Sequence, residues 1–285
     1  MDIPHNAKMT HYLELDGGTI AYELAGAGPL VVLAHGMGDS RLAYRFVTPQ
    51  LIAAGYRVVT VDLRGCGQSS AEWSTYTRAD IAGDLLEVIR HLGGPAMIVG
   101  HSISGGAATI AAAQEPGLVQ GVVELAPFTR TQSIGFADLK SKRYRAAMTR
   151  LLMTGLLGSV GWWHRYLDLA FPGHKPDDWD EQLQRMDRQL REPGRMKAMQ
   201  RMGRSAPSDA GGRLGSIQCP ALIVQGSLDP DWADPRAEGQ AIVEAMPDGL
   251  AELALIEGAG HYPHTQMPDE TLALLLPFLQ AHAHA

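Results

Sequence analysis

Short, wholly apolar runs separated by helical patterns constrain this chain most. Residues 30–34 (LVVLA) contain no polar side chain, which indicates a strand buried on both faces, as in a parallel sheet covered by helices. Similar runs recur at residues 57–61, 96–99, 121–125, 221–225 and 251–256. Residues 9–15 and 19–24 flank an Asp-Gly-Gly turn and predict an antiparallel hairpin. We therefore predict an α/β fold with an eight-stranded, mostly parallel sheet flanked by helices.

Helical patterns fill the intervals between these runs. Thr77 is a predicted N-cap for a helix over residues 78–92, whose apolar residues recur on one face. Ser40 is a predicted N-cap for a helix over residues 41–54, and residues 268–281 predict a helix that closes the chain.

Residues 129–207 interrupt the alternation, because they show helical patterns but no convincing strand. About eighty residues are too many for a structureless loop in a compact domain. We predict a helical cap inserted into a core of residues 1–128 and 208–285. Trp162 and Trp163 are candidates to line a substrate pocket under this cap. The basic residues between Lys140 and Arg150 predict a solvated helix face.

The charge balance narrows the expected partners. The 285 residues carry a formal net charge of −7, which argues against nucleic acid or an anionic membrane as the main partner. No apolar run predicts a membrane span, and no N-terminal pattern predicts a signal peptide, so we expect a cytoplasmic protein with a small-molecule substrate. Cys66 and Cys219 are expected to be free thiols, and we expect no metal or cofactor. Nothing in the sequence indicates an oligomeric state.

A predicted strand passes directly into a predicted helix at Gly100-His101-Ser102-Ile103-Ser104-Gly105-Gly106. Such a turn holds its serine in strained geometry above the sheet and needs small residues two positions before and after it. The helix N-terminus also favours negative charge there. Ser102 is therefore the predicted nucleophile, and Ser104 stands where a G-x-S-x-G pattern has its last glycine.

Two backbone amides are candidates for an oxyanion hole. The sequence His35-Gly36-Met37-Gly38 follows a predicted strand and would supply the N–H of Met37. The start of the helix after Ser102 would supply the N–H of Ile103. Two donors are needed to hold the charge of a tetrahedral intermediate, and losing one costs about 10²–10³ in rate.

The predicted base is His261, in Gly258-Ala259-Gly260-His261 after the last strand. A loop at the carboxyl edge of the sheet can reach the serine, and the glycines let that loop bend. His264 is the nearest rival. His35 and His101 belong to the two motifs above, where structural hydrogen bonding is their expected role.

The acid that orients this base is predicted to be Asp229, in the loop after residues 221–225. Glu124 is the alternative, because a carboxylate in an otherwise apolar strand needs a partner or a purpose. Asp231 and Asp234 lie in the same loop as Asp229 and could be solvated loop charges or helix caps. The chain order is therefore Ser, Asp, His.

These motifs and their order resemble the α/β-hydrolase superfamily over nearly the whole chain. The segment from Asp62 to Ser69 (DLRGCGQS) resembles the D-x-R-G-x-G-x-S turn of that family, which implies that Asp62 and Arg64 stabilise a turn. The letters G-H-S-I-S resemble G-H-S-V-S in the strigolactone and karrikin receptor hydrolases and their bacterial relatives, although Gly105-Gly106 departs from them. The resemblance implies an α/β-hydrolase fold with a helical lid and a small ligand.

The predicted activity is hydrolysis of an ester or related acyl bond of a small apolar substrate. Ser102, His261 and Asp229 would act through an acyl-enzyme. Carbon–carbon bond hydrolysis and cofactor-free perhydrolysis run on the same triad and remain open. Dehalogenase and epoxide hydrolase chemistry is disfavoured, because it needs a carboxylate where Ser102 stands. A ligand receptor with little turnover is the alternative from a different class.

Overall fold

The computed structural model describes residues 9–131, 135–136 and 138–284, and the strands within them form one eight-stranded sheet. The strands are β1 (Thr10–Leu15), β2 (Gly18–Ala25), β3 (Leu30–Ala34), β4 (Arg57–Val61), β5 (Ala96–His101), β6 (Val119–Leu125), β7 (Ala221–Gly226) and β8 (Ala251–Ile256). Their order across the sheet is β1-β2-β4-β3-β5-β6-β7-β8. β2 is antiparallel to both of its neighbours, β1 and β4, and every other neighbouring pair of strands is parallel. The predicted mostly parallel sheet with an opening hairpin is confirmed.

Helices connect the strands and cover the sheet. They are α1 (Thr48–Ala53), α2 (Arg78–His91), α3 (Ile103–Gln114), α4 (Lys142–Leu157), α5 (Val160–Ala170), α6 (Trp179–Arg191), α7 (Arg195–Gly203), α8 (Ser208–Gly211), α9 (Pro235–Glu244), α10 (Pro263–Gln266) and α11 (Pro268–His282). Within the described part of the chain, none of them is both long and apolar enough to cross a bilayer. Cys66 and Cys219 are buried, unbridged thiols, as expected.

The two faces of the sheet explain the wholly apolar runs. Leu30, Val32 and Ala34 of β3 pack into a core with α2, α3 and α9. Val31 and Leu33 point the other way, into a core with α1 and α11. Side chains alternate between the faces of a strand, so nearly every position of a strand buried on both faces favours an apolar residue.

The helix predicted over residues 41–54 is wrong in its extent. Arg41–Tyr44 is a 3₁₀ turn, and α1 begins only at Thr48. Pro49 explains the break, since proline is tolerated in the first turn of a helix but disrupts the interior. Ser40 makes no side-chain cap, whereas Thr77 forms the predicted N-cap of α2.

Helices α4 to α7 occupy the segment between β6 and β7 that was predicted to form a cap. They bury a cluster of their own, which includes Trp163, Tyr166 and Met186. Tyr262, from the loop after β8, is part of the same cluster. The helical content of the segment agrees with the sequence, and its division from the core as a cap over residues 129–207 stays a prediction.

The turn after β4 is held by buried charged groups. The Asp62 carboxylate accepts hydrogen bonds from the backbone N–H groups of Arg41 and Gln68. Arg64 donates two hydrogen bonds of 2.7 Å each to the carboxylate of Asp84 in α2. Both residues thus stabilise the turn and its contact with α2, as the family resemblance implies.

The buried Arg64–Asp84 pair makes a stability prediction. Asp84→Asn should lower the free energy of unfolding by about 3 kcal/mol, because it removes the carboxylate that is hydrogen-bonded to the buried guanidinium of Arg64 and leaves only the more distant Asp80, at 3.6 Å. The measurement is urea unfolding followed by circular dichroism. Glu87→Gln is the matched control, since Glu87 pairs with Arg90 at the surface and should cost less than about 1 kcal/mol. Equal losses in the two variants would contradict the prediction.

Candidate active site

Ser102 lies at the sharp turn from β5 into α3. Its backbone has φ 55° and ψ −117°, and Ala126 is the other non-glycine residue with positive φ in the described ranges. Such a conformation costs about 1–3 kcal/mol and persists only where the surrounding structure enforces it. The Ser102 side chain therefore projects from a strained turn at a helix N-terminus, as the sequence predicts.

Close packing enforces this turn. A Cβ atom on Gly36 would lie 2.6 Å from Nδ1 of His101, and one on Gly100 would lie 2.2 Å from the carbonyl oxygen of Ser104. The Ser104 hydroxyl donates a 2.6 Å hydrogen bond to the carbonyl of His35. Ser104 therefore replaces the usual glycine without a clash, and it ties the turn to the loop that carries Met37.

The structure brings His261 and Asp229 together. Nδ1 of His261 lies 2.9 Å from Oδ2 of Asp229, and both side chains are buried. Oδ1 of Asp229 accepts a hydrogen bond from the N–H of Asp231. Nε2 of His101 donates to the carbonyl of His261, which is the kind of structural role predicted for His101.

The rival residues lie elsewhere. Glu124 is buried and accepts hydrogen bonds from the hydroxyls of Thr109 and Thr129, and its burial raises its pKa to about 7. His264 is buried and stacks on Tyr44, with ring centroids 4.7 Å apart. Among the described residues neither makes the contact that joins His261 to Asp229.

Asp231 is a feature of the site that the sequence did not reveal. It is buried rather than solvated, and its Oδ2 lies 3.5 Å from Nδ1 of His261. The same oxygen accepts a 2.7 Å hydrogen bond from the hydroxyl of Tyr166 in α5. Asp234 caps α9, one of the two roles weighed for it. Asp231 and Asp234 lie in the same polar loop, so the sequence does not show that their roles differ. The hydrogen bond between Asp231 and Tyr166 forms only in the tertiary structure.

The two carboxylates dominate the electrostatics at His261. Burial by itself would lower the pKa of His261, but Asp229 and Asp231 outweigh burial and raise it to about 9. Burial raises the pKa of Asp231 to about 7, and the nearby His261 ring opposes that rise. The two carboxylates therefore stabilise positive charge on the imidazole, the charge that develops when a neutral histidine accepts a proton.

Ser102 and His261 open onto a cavity of about 400 Å³. Met37 and Ile103, the predicted sources of the oxyanion amides, line the same cavity, as does Trp163. Trp162 does not line it. Its ring is half-buried on another side of α5, where the guanidinium of Arg165 lies 4.6 Å from the ring centroid. Adjacent helix positions point in different directions, so only one of the two tryptophans can face the cavity.

Asp229, Asp231 and His261 are also the group in the described residues whose ligand atoms lie close enough to share a metal ion. Their oxygens already accept hydrogen bonds from Tyr166, the Asp231 amide and the His261 ring. These contacts favour a hydrogen-bonded acid–base group over a metal centre.

Comparison with known proteins agrees with this geometry. Residues 31–274 match the profile described as the alpha/beta hydrolase family. The chain belongs to the α/β-hydrolase family. The family predicted from the motifs is confirmed, and hydrolase activity on a small molecule follows from it.

Two curated relatives and one solved structure illustrate the range of this family. The chain is 27% identical to 2-(acetamidomethylene)succinate hydrolase of Mesorhizobium japonicum, over 99% of this chain and all of the relative. It is 38% identical to epoxide hydrolase B of Mycobacterium tuberculosis, but over only 38% of this chain and 32% of that protein. A thermophilic esterase from Thermogutta terrifontis superposes with a TM-score of 0.74 at 22% identity, covering 95% of this chain and 98% of the esterase. That last likeness shows the shared fold.

The site makes a prediction about His261 that needs no substrate. Asp231→Asn should lower the pKa of His261, because it removes one of the two negative charges that raise it. Histidine ring signals followed by NMR across a pH titration measure the change. Asp234→Asn is the matched control, since Asp234 is an exposed cap in the same loop and should leave that pKa in place. The prediction fails if both variants leave the pKa of His261 where it is in the wild type.

Proposed function

We propose that this protein is a serine hydrolase that cleaves an ester or related acyl bond through Ser102, His261 and Asp229. One observation carries the proposal. Ser102 projects from a strained helix N-terminus into the cavity that His261 also lines, and His261 is held by a buried carboxylate on its far ring nitrogen. This arrangement provides a nucleophile, a base and a group that orients the base.

The proposed reaction has two stages. The Ser102 hydroxyl attacks the substrate carbonyl carbon while Nε2 of His261 accepts its proton, and the N–H groups of Met37 and Ile103 stabilise the resulting oxyanion. The protonated His261 gives that proton to the leaving group as the C–O bond breaks, which leaves an acyl group on Ser102. Water then attacks the acyl-enzyme, with His261 again accepting a proton. The carboxylic acid product leaves, and Ser102 regains its proton.

Serine at position 102 supports acyl chemistry over epoxide opening. Epoxide hydrolases need a carboxylate nucleophile at this point, whereas this chain has the hydroxyl of Ser102. The relative matched along its full length is named as the hydrolase of a succinate derivative. That likeness supports an acyl substrate of modest size.

The helical segment contributes most of the apolar wall of the cavity and is proposed to act as the lid that selects the substrate. Leu151 and Leu156 of α4, Trp163 of α5 and Met199 of α7 line it together with Ser102. A lid that covered the bound substrate would also strengthen the oxyanion contacts, because it would exclude bulk water. The lid would therefore serve both specificity and rate.

The first functional prediction concerns the nucleophile. A fluorophosphonate probe should label the wild type and Ser104→Ala but not Ser102→Ala, because Ser102, unlike Ser104, lines the cavity that His261 also lines and lies at the strained turn. Gel fluorescence after labelling is the measurement. Ser104→Ala is the matched control, since the Ser104 hydroxyl is occupied by the carbonyl of His35. Retained labelling of a folded Ser102→Ala variant would refute the assignment.

The second functional prediction concerns the acid. Asp229→Asn should lower kcat on a p-nitrophenyl ester by about 10³–10⁴-fold while the protein stays folded, because the imidazole loses the group that holds its reactive tautomer. Glu124→Gln should lower kcat far less, since Glu124 contacts two threonine hydroxyls instead of His261. Steady-state kinetics with a circular dichroism check decide the ranking. The reverse ranking would make Glu124 the acid.

A further inference from the structure

A buried arginine shares the cavity with Ser102. Arg78 is the first residue of α2, only 5% of it is exposed, and it lines the cavity. No role for it follows from the motifs or from the proposed reaction. Burying a positive charge is costly unless an opposite charge compensates it, so its surroundings show what it is there to bind.

Among the described residues, every hydrogen-bond partner of this guanidinium is neutral. Nε donates a 2.8 Å hydrogen bond to the carbonyl of Phe128. Nη1 donates to the carbonyl and hydroxyl oxygens of Ser205, at 3.0 and 3.1 Å. Nη2 donates none of the hydrogen bonds found in the part of the chain that the structure describes. The Arg78 guanidinium is thus positioned by two residues, and one of its nitrogens is left for another partner.

Two other arginines with little exposed surface form ion pairs with carboxylates. Arg41 pairs with Glu23 and Asp62, and Arg64 pairs with Asp84. No such carboxylate lies within 4 Å of Arg78 among the described residues. Burial lowers the pKa of Arg78 to about 10, and Asp209 only partly opposes this. The guanidinium still carries its charge at neutral pH, so the cavity is positively charged at this wall.

Arg78 is connected to Ser102 through short contacts. Phe128 links the two residues, since its N–H donates to the carbonyl of Ser102 and its carbonyl accepts from Arg78. The Arg78 stem packs on α3 at Gly106, where an added Cβ would lie 2.9 Å from Cδ of Arg78. Gly106 follows Ser102 by four residues, a rise of about 6 Å along a helix. A group bound by Arg78 would therefore lie only a few bonds from a carbonyl at Ser102.

The other charges of the cavity fit this arrangement. Arg204 is exposed and lines the same cavity, which adds a second positive charge. Asp231 is the acidic residue among the lining side chains, and its carboxylate is engaged by the Tyr166 hydroxyl beside His261. The wall of the cavity that holds Arg78 is thus the place for a negative charge.

We infer that Arg78 binds a carboxylate of the substrate, so that the preferred substrate is a half-ester or related monoacyl derivative of a short dicarboxylic acid. A guanidinium matches the planar geometry of a carboxylate and binds it through charge-assisted hydrogen bonds. The inference refines the small apolar substrate expected from the sequence. The claim that the bound compound is hydrolysed rests on the proposed function. The claim that Arg78 binds a carboxylate rests on the cavity alone.

Matched ester pairs test the inference. Monomethyl and dimethyl esters of succinate, glutarate and adipate differ at one end, which is a carboxylate in the first and a methyl ester in the second. The wild type should hydrolyse the monoester with at least a tenfold higher kcat/KM than the diester for at least one chain length. Acid release in a pH-stat, with the uncatalysed rate subtracted, is the measurement.

A variant of Arg78 links that preference to one side chain. Arg78→Gln should reduce the ratio of monoester to diester kcat/KM by about 10- to 100-fold, the range for a hydrogen bond to a charged group. Arg90→Gln is the matched control, because Arg90 belongs to the same helix but pairs with Glu87 and Glu115 at the surface. It should leave the ratio unchanged. Because both kcat/KM values in a ratio come from the same variant, a loss of activity that affects both esters equally does not change the ratio.

Binding to Ser102→Ala tests the anion site separately from ester hydrolysis. This measurement does not require that Arg78→Gln folds. By calorimetry, the preferred monoester should bind this inactive variant at least ten times more tightly than its diester. If esters are hydrolysed but monoesters are neither preferred nor bound more tightly, the inference is overturned and the proposed function stands. If the monoester binds more tightly but no ester is cleaved, the anion site stands and the proposed function fails. Equal binding without hydrolysis overturns both.

Discussion

The strained backbone at Ser102 is the constraint on which the site depends. A residue with φ 55° at the junction of β5 and α3 is tolerated only because its neighbours leave it no alternative. Gly36 and Gly100 give the turn the room it needs, and Ser104 links it to the carbonyl of His35. The central position of β5 in a sheet buried on both faces supplies the rigidity that holds this turn in place.

The helical segment and the base are coupled through short contacts. The N–H of His261 donates to the carbonyl of Ala170 at the end of α5, and a Cβ on Gly260 would lie 2.1 Å from that same oxygen. The Tyr166 hydroxyl of α5 donates a hydrogen bond to Asp231, which lies beside the His261 ring. A movement of α5 would therefore change both the position of the base and the charge around it. The segment that lines the cavity also supports His261, the proposed base.

Charges of both signs occur at the cavity. Asp229 and Asp231 surround His261 with negative charge and stabilise positive charge on its ring. Arg78, in the same lining, is positioned by neutral acceptors next to Phe128, whose N–H donates a hydrogen bond to the carbonyl of Ser102. Charges of opposite sign in the lining of one small cavity would orient a charged substrate. Orientation of this kind is a large part of what a binding site contributes to rate.

Local patterns in the sequence determined the sheet, the family and the positions of Ser102, Met37, Ile103, Asp229 and His261 along the chain. They could do so because each rests on short-range chemistry: apolar runs for doubly buried strands, small residues around a sharp turn, and glycines in a bending loop. The tertiary structure decided which of several polar groups meet. It paired Asp229 rather than Glu124 with His261, buried Asp231 against Tyr166, and turned Trp163 and not Trp162 to the cavity. Within the described part of the chain it also gave Arg78 neutral hydrogen-bond partners and no carboxylate within 4 Å. These outcomes depend on contacts between residues that are far apart in the sequence. Tyr166 and Asp231, for example, are 65 positions apart, and no local pattern encodes such a contact.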